Sequence, residues 1–226
     1  MTVSPANAIA QTLAHIRQTL PDTVTLIAVT KTVSVEKMRV AYAAGVRDFG
    51  ESRLQETIDK QALLQDLPDI TWHLIGHLQR NKAAKALEHF QWIHSVDSLT
   101  LAQRLNSLAD RLPLKPSICL QVKLMPDPSK FGWAGDELLA DLPALNDCSN
   151  LNIVGLMTIP PYGLAPAVTQ SVFNQTRDLS DQIRQQQWSN IQMRHLSMGM
   201  SDDYLLAIES GATMIRLGRV LFGDRN

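Results

Sequence analysis

The sequence predicts an α/β protein: a single-domain (β/α)8 TIM barrel with an N-terminal helix, spanning residues 1–226. Three observations carry this. Short apolar runs alternate with longer stretches of helical period along the whole chain, the signature of parallel strands joined by crossover helices. The apolar runs number eight, which suits a closed barrel better than an open doubly wound sheet. No linker, repeat or low-complexity segment divides the chain, and 226 residues suffice for one large domain with a substantial core.

The elements follow in order. An amphipathic helix over Pro5–Leu20 comes first, then a strand over Val24–Thr30. Ser34 caps a helix that ends near Gly45. Val46–Phe49 is the second strand, with a helix from Arg53 to Gln65. Thr71–Ile75 and Asn81–Phe90 form the third strand–helix pair, and Trp92–Ser95 with Leu99–Leu112 the fourth. Ser117–Val122 is the fifth strand, and a loop bearing Pro and Gly, Lys123–Gly135, leads to a helix over Glu137–Leu145. Asn152–Met157 and Ala167–Gln187 form the sixth pair. Gln192–Leu196 is the seventh strand, after which Ser201 caps a helix reaching Ser210. Thr213–Arg216 is the eighth strand, with almost nothing after it, so the N-terminal helix is expected to cover the barrel there.

Composition narrows the function. The net charge of −1 gives no electrostatic case for nucleic acid or an anionic membrane as a partner. No apolar run approaches the length needed to span a bilayer. Met1–Ala10 lacks a basic segment followed by an apolar stretch, so no signal peptide is expected. Cys119 and Cys148 are far apart, fit no metal spacing and read as free thiols in a reducing compartment. The expected location is the cytoplasm.

In a parallel barrel the carboxyl ends of the strands form the active face. Those positions hold Lys31, then Gly50-Glu51-Ser52, Gly76-His77, Ser95 and Asp97, Lys123, Met157-Thr158, Ser197-Met198-Gly199-Met200-Ser201, and Arg216 with Gly218. The seventh and eighth ends are the most informative. A glycine and two hydroxyls stand before a helix whose free N–H groups and dipole suit a phosphate, and Gly218 lets a second stretch of backbone approach. The plainer reading makes Ser201 only a helix cap and the methionines only core. Asp202 and Asp203 would repel a phosphate unless they point outward.

Lys31 closes the apolar run Leu26-Ile27-Ala28-Val29. Partial desolvation there lowers its pKa and frees the amine for a carbonyl, although an ordinary lysine snorkelling to solvent fits the same position. An aldehyde that carries a phosphate would connect Lys31 with the far side of the face, and pyridoxal 5′-phosphate (PLP) is such a ligand. Arg216, a donor that keeps its proton, would then face the pyridine nitrogen and hold it unprotonated; a salt-bridged arginine is the alternative. Trp72, Trp92 and His94 read as core, and Arg80-Asn81-Lys82 with Lys85 as a solvated helix face.

The motifs run from end to end: Ala28-Val29-Thr30-Lys31, Phe49-Gly50-Glu51-Ser52-Arg53-Leu54-Gln55-Glu56, Trp72 through Lys82, Gly155-Leu156-Met157-Thr158, Leu196 through Asp203, and Ile215-Arg216-Leu217-Gly218 with Phe222-Gly223. On these the chain resembles the pyridoxal phosphate homeostasis proteins, which are similar to the N-terminal barrel of alanine racemase. The resemblance implies PLP bound as a Schiff base on Lys31. It implies Ser197, Gly199 and Ser201 as phosphate ligands with Gly218 adding an N–H, Arg216 at the pyridine nitrogen and Met157 along the cofactor plane. It places His77 nearby with no assigned role. Ser52 stands where the family often has Asn, facing the phenolic oxygen. Arg219 and Lys123 stand where many members have Thr and Asn.

The function so implied is vitamin B6 and amino- and keto-acid homeostasis without a defined catalytic turnover, by a monomer that binds PLP and other B6 vitamers. A PLP-dependent amino-acid racemase is the alternative. It needs a second acid/base from a further domain, which a chain ending at Asn226 is not expected to carry. A cofactor-free Schiff-base aldolase is a third reading, separated by the absence of visible colour.

Overall fold

Eight parallel strands close on themselves in the computed structural model, which describes residues 5–110, 112–113, 115–128 and 130–223. The strands are β1 (Thr25–Val29), β2 (Asp48–Glu51), β3 (Thr71–Leu74), β4 (Trp92–Val96), β5 (Ser117–Val122), β6 (Asn152–Thr158), β7 (Ile191–Ser197) and β8 (Met214–Leu217). Each pairs with the next in sequence, and β8 returns to β1 in the register Thr25↔Met214 through Ala28↔Leu217. Crossovers run through α2 (Val35–Ala43), α3 (Leu54–Leu63), α4 (Ala83–His89), α5 (Leu99–Ala109), α6 (Gly135–Asn146), α7 (Pro166–Gln185) and α8 (Tyr204–Glu209). Local chemistry starts these helices: Ser98 accepts the Leu101 N–H at the head of α5, and Pro166 occupies the first turn of α7, where its missing N–H is harmless.

The main core lies between the sheet and the helices. Phe49, Trp72, Leu74, Ile93 and Leu120 from the strands pack in one cluster with Met38, Leu101, Leu105, Phe173 and Ile183 from the helices. Each such side chain contributes about 1.5–3 kcal/mol by leaving water. The N-terminal helix α1 (Pro5–Thr19) buries Ile9, Leu13 and Ile16 and packs against α2 and a short α9 (Arg219–Phe222). It therefore covers the seam after β8, as the sequence leads one to expect.

Three details depart from expectation. Strand β2 lies two residues later than Val46–Phe49, because the Val46 N–H closes the end of α2 on Ala41 O, while Gly50 and Glu51 enter the sheet opposite His73 and Leu74. Ser201 does not cap α8: the helix begins at Tyr204 after a turn, and the Asp203 carboxylate ties that turn by accepting the Met200 N–H at 2.6 Å. The last strand is followed by α9, one helical turn that polar and apolar alternation over four residues cannot signal.

Candidate functional site

A cavity of about 180 Å³ opens at the carboxyl ends of the strands, where β1 and β8 meet. Lys31, Ser52, Ser201, Arg216 and Gly218 line it, with Gly76, Arg219 and an apolar wall of Val29, Ile75, Ile159 and Met200. Five of the eight sequence-predicted site residues thus share one cavity. Met157, Ser197 and Gly199 do not line it. They stand behind it: Met157 and Ser197 are buried neighbours in the β6–β7 register, and the Gly199 carbonyl accepts the Arg216 N–H at 2.9 Å. Gly199 adopts φ +93°, and a Cβ there would meet Ala207 Cβ at 2.6 Å, so the turn needs glycine.

Lys31 lies two residues after β1 on a constrained turn. The next residue, Thr32, has φ +64°, a conformation that costs a β-branched residue about 1–3 kcal/mol. Its N–H donates to Glu56 Oε1 at 2.6 Å, and Lys60 Nζ donates to the same oxygen at 2.6 Å. Lys60 also donates to Thr30 O at 2.6 Å and to the buried Glu51 at 2.7 Å, where Thr30 Oγ1 adds a bond of 2.7 Å. Burial pushes the Glu51 carboxyl above its ordinary value despite Lys60. Glu56 is held below the ordinary value: its own desolvation opposes this but is outweighed by Lys60 and the Thr32 N–H. The motif Gly50-Glu51-Ser52-Arg53-Leu54-Gln55-Glu56 is therefore largely a brace for the Lys31 turn.

On the opposite wall, Arg216 is 3% exposed. Its Nη1 donates to Ser197 O at 2.6 Å and Ser197 Oγ at 2.7 Å, and its Nη2 to Thr158 O at 2.9 Å. No described carboxylate stands within ion-pair distance of it, and burial pushes its pKa down to about 10. Nε and an Nη2 hydrogen are left over for the cavity. Close by, the Gly218 and Val220 N–H groups converge on Ser201 Oγ at 3.4 and 3.3 Å. These long bonds mark N–H groups aimed at one point with a weak acceptor on it. Asp202 is drawn away by an ion pair with Arg219, and Asp203 by the Met200 N–H.

The sequence reading left three parts of the site without a role. Gly76 lines the cavity and needs to be glycine, since a Cβ there would run into the Ser52 backbone; its place after β3 was the available signal. His94 is buried as expected, but it bonds Ser197 behind Arg216 instead of packing as inert core. Arg219 lines the cavity edge. His77 and Lys123 belong to a neighbouring cavity of about 460 Å³, where His77 bonds Asp97 at 2.9 Å and stacks on Phe131.

Comparison with known proteins agrees with this fold. Residues 6–226 match the family described as "Alanine racemase, N-terminal domain". The chain is 50% identical over 212 residues to the pyridoxal phosphate homeostasis protein of Synechocystis sp., covering 94% of this chain and 96% of that one. It is 44% identical over 229 residues to the protein of the same name from Pseudomonas aeruginosa, covering 98% and 96%. Among solved structures it superposes on PipY of Synechococcus elongatus without PLP (TM-score 0.92, 53% identity, 95% of this chain and 100% of that one). It does so equally on PipY with PLP bound (TM-score 0.91, 52% identity, the same coverage). Alanine racemase of Clostridium difficile 630 shares the fold at TM-score 0.79 and 18% identity, with 97% of this chain matching 57% of that one.

Proposed function

The chain belongs to the alanine racemase N-terminal domain family and, within it, to the pyridoxal phosphate homeostasis proteins, and on that premise we propose that it binds PLP through a Schiff base on Lys31. One observation carries the reading: a single cavity brings together the Lys31 amine, a buried guanidinium without a carboxylate, and convergent N–H groups at Ser201. These three features fit an aldehyde, a ring nitrogen and a phosphate in turn. When bound, the cofactor supplies an aldehyde that condenses with an amine, with loss of water. The protein's part is to present Lys31 on its braced turn, half-buried and next to the apolar wall. Ser201, Gly218 and Val220 hold the phosphate. Ser52 lines the same cavity and would meet the phenolic oxygen. Arg216 donates toward the ring nitrogen and, keeping its own proton, leaves that nitrogen unprotonated. Met157, Ser197 and Gly199 act from behind, as the floor and the support of Arg216.

The role is B6 and amino- and keto-acid homeostasis, exercised by a cytoplasmic monomer that also takes other B6 vitamers and has no steady turnover. The curated relatives carry the name of homeostasis proteins. Among the described residues no helix is long and apolar enough to cross a membrane. A second acid/base opposite Lys31 is not supplied by tyrosine: Tyr42 is tied to Asp69, and Tyr162 and Tyr204 do not line the cavity. The test is an absorbance spectrum of purified protein with PLP before and after borohydride, with peptide mapping. The expected result is a visible band that reduction abolishes, with the label on Lys31, and no band in a folded Lys31→Ala variant. The same preparation in deuterated water should leave the α-hydrogen of alanine in place. A label on another lysine, or steady exchange, would overturn the reading.

A further inference from the structure

Behind Arg216 a line of buried polar groups crosses the barrel interior. Arg216 on β8 donates to Ser197 Oγ on β7 at 2.7 Å. Ser197 Oγ meets His94 Nδ1 on β4 at 2.8 Å, a bond that spans opposite walls. His94 Nε2 meets His73 Nδ1 on β3 at 2.9 Å, and His73 Nε2 meets Asp48 Oδ1 on β2 at 2.9 Å. Asp48 is the first residue of β2 and so lies at the amino ends of the strands, away from the cavity, with its side chain 28% exposed. Ser197, His94 and His73 are fully buried. Trp92 stacks on His73 with centroids 5.7 Å apart.

The two ends of this line leave one arrangement of protons. A guanidinium only donates and a carboxylate only accepts. Asp48 therefore needs a proton on His73 Nε2. A neutral His73 then has a bare Nδ1, which needs a proton on His94 Nε2. His94 Nδ1 is bare in turn and accepts from the Ser197 hydroxyl, whose lone pairs take the Arg216 N–H. Burial keeps both rings neutral, as the scheme requires. Every donor points from Arg216 toward Asp48, so the dipoles align and link a distant carboxylate to a guanidinium whose charged neighbour Asp203 stands outside ion-pair distance.

We infer that Asp48, His73, His94 and Ser197 form a one-way hydrogen-bond relay that holds Arg216 in place, making a carboxylate at the barrel floor a positioning residue for the ligand's ring. This rests on the PLP reading for its last link only. His73 and His94 lie outside the main apolar cluster. A void filled by leucines would seal the interior without linking β2 to β8.

The test uses full-length protein labelled with [15N]histidine, without and with PLP. Two-bond 15N–1H correlation reads which ring nitrogen carries the proton. Signals are assigned by their loss in His73→Gln and His94→Asn. The expected result is a proton on Nε2 and a bare Nδ1 in both rings, with or without PLP. A proton on Nδ1 of either ring, or a doubly protonated ring at neutral pH, would overturn the relay whether or not PLP binds. The second arm compares Asp48→Asn with Asp66→Asn, whose carboxylate pairs with Arg39 on the surface. Asp48→Asn should raise the PLP dissociation constant about three- to tenfold, the scale of coupling within one hydrogen-bond network, and move the visible band. Asp66→Asn should do neither. An Asp48→Asn protein with wild-type affinity and band would overturn the inference, while wild-type protein that takes no PLP would overturn the proposed function and leave the ring protons to decide the relay.

Discussion

Ser201 shows how one side chain changes meaning between sequence and structure. Its position before a helix makes a cap the plain expectation. Its hydroxyl instead accepts N–H groups from Gly218 and Val220, on the far side of the β7–β8 seam. Removing it should therefore spare α8 and act on the anion site. Ser201→Ala is expected to weaken PLP by roughly ten- to a hundredfold, the worth of a hydrogen bond to a charged group at about 1.5–3 kcal/mol. Free pyridoxal, which has no phosphate, should lose little, and the urea midpoint should move little. Parallel titrations with the two ligands check this, and equal losses would remove Ser201 from the phosphate site. At this scale Lys31, Ser52, Arg216 and Gly218 were legible because each follows or ends a strand at the active face. Met157, Ser197 and Gly199 were not separable from them. Neighbouring residues on a strand face opposite ways, and β6 carries one extra residue against β5: it pairs Ile153 with Ile118 but Gly155 with Cys119. Past that irregularity, counting along the sequence no longer tells which side chain faces the cavity.

Among the elements, the turn between β1 and α2 is stabilised by a helix that follows a different strand. Glu56 on α3 accepts the Thr32 N–H and is itself held by Lys60 one turn on. That carboxylate adds to the Val33 N–H bond to Thr30 O at 2.8 Å in offsetting the strain of Thr32 at φ +64°. Glu56→Ala is expected to cost about 1.5–3 kcal/mol, the scale of a hydrogen bond to a charged group, and to weaken PLP because Lys31 loses its fixed approach. Adding Thr32→Gly should return part of the stability, since glycine takes that conformation freely. It should not return the affinity, since it leaves the turn without its tie to α3. Urea unfolding and PLP titration of the single and double variants check both statements; an affinity restored by glycine would show that strain, not tethering, mattered. The order and type of the strand–helix units were legible because alternation of apolar runs and helical periods survives small boundary errors. The two-residue displacement of β2 was hidden because its last residues, Gly50 and Glu51, carry no apolar signal. Glu51 is buried only through Lys60 and Thr30, partners that local pattern cannot supply.

For the molecule as a whole, the polar barrel interior sets how stability depends on acid. His73 and His94 are buried and held below their ordinary value of 6.5, chiefly by desolvation; His195, half-buried, is lowered for the same first reason. In the unfolded chain each ring takes up a proton near 6.5, while the folded protein resists it. Between those values the unfolded state binds more protons, so stability falls as pH falls. The contribution is fully present above 6.5. It declines below 6.5 by up to about 1.4 kcal/mol per pH unit for each such ring, and levels off once the folded ring also titrates. Glu51 and Asp203 pull the other way, since burial raises their carboxyls and acid relieves that cost. A single titration curve therefore mixes the two, and a difference between proteins is needed. His94→Asn removes one buried ring and keeps a polar group beside Ser197. It should be less stable than wild type at pH 7.5, and the gap should narrow at pH 5.5, because only the wild type still resists protonating His94. Urea midpoints of both proteins at the two pH values measure this. A gap that stays constant or widens toward acid would mean that the His94 ring is protonated inside the barrel, and the neutral interior described above would be wrong.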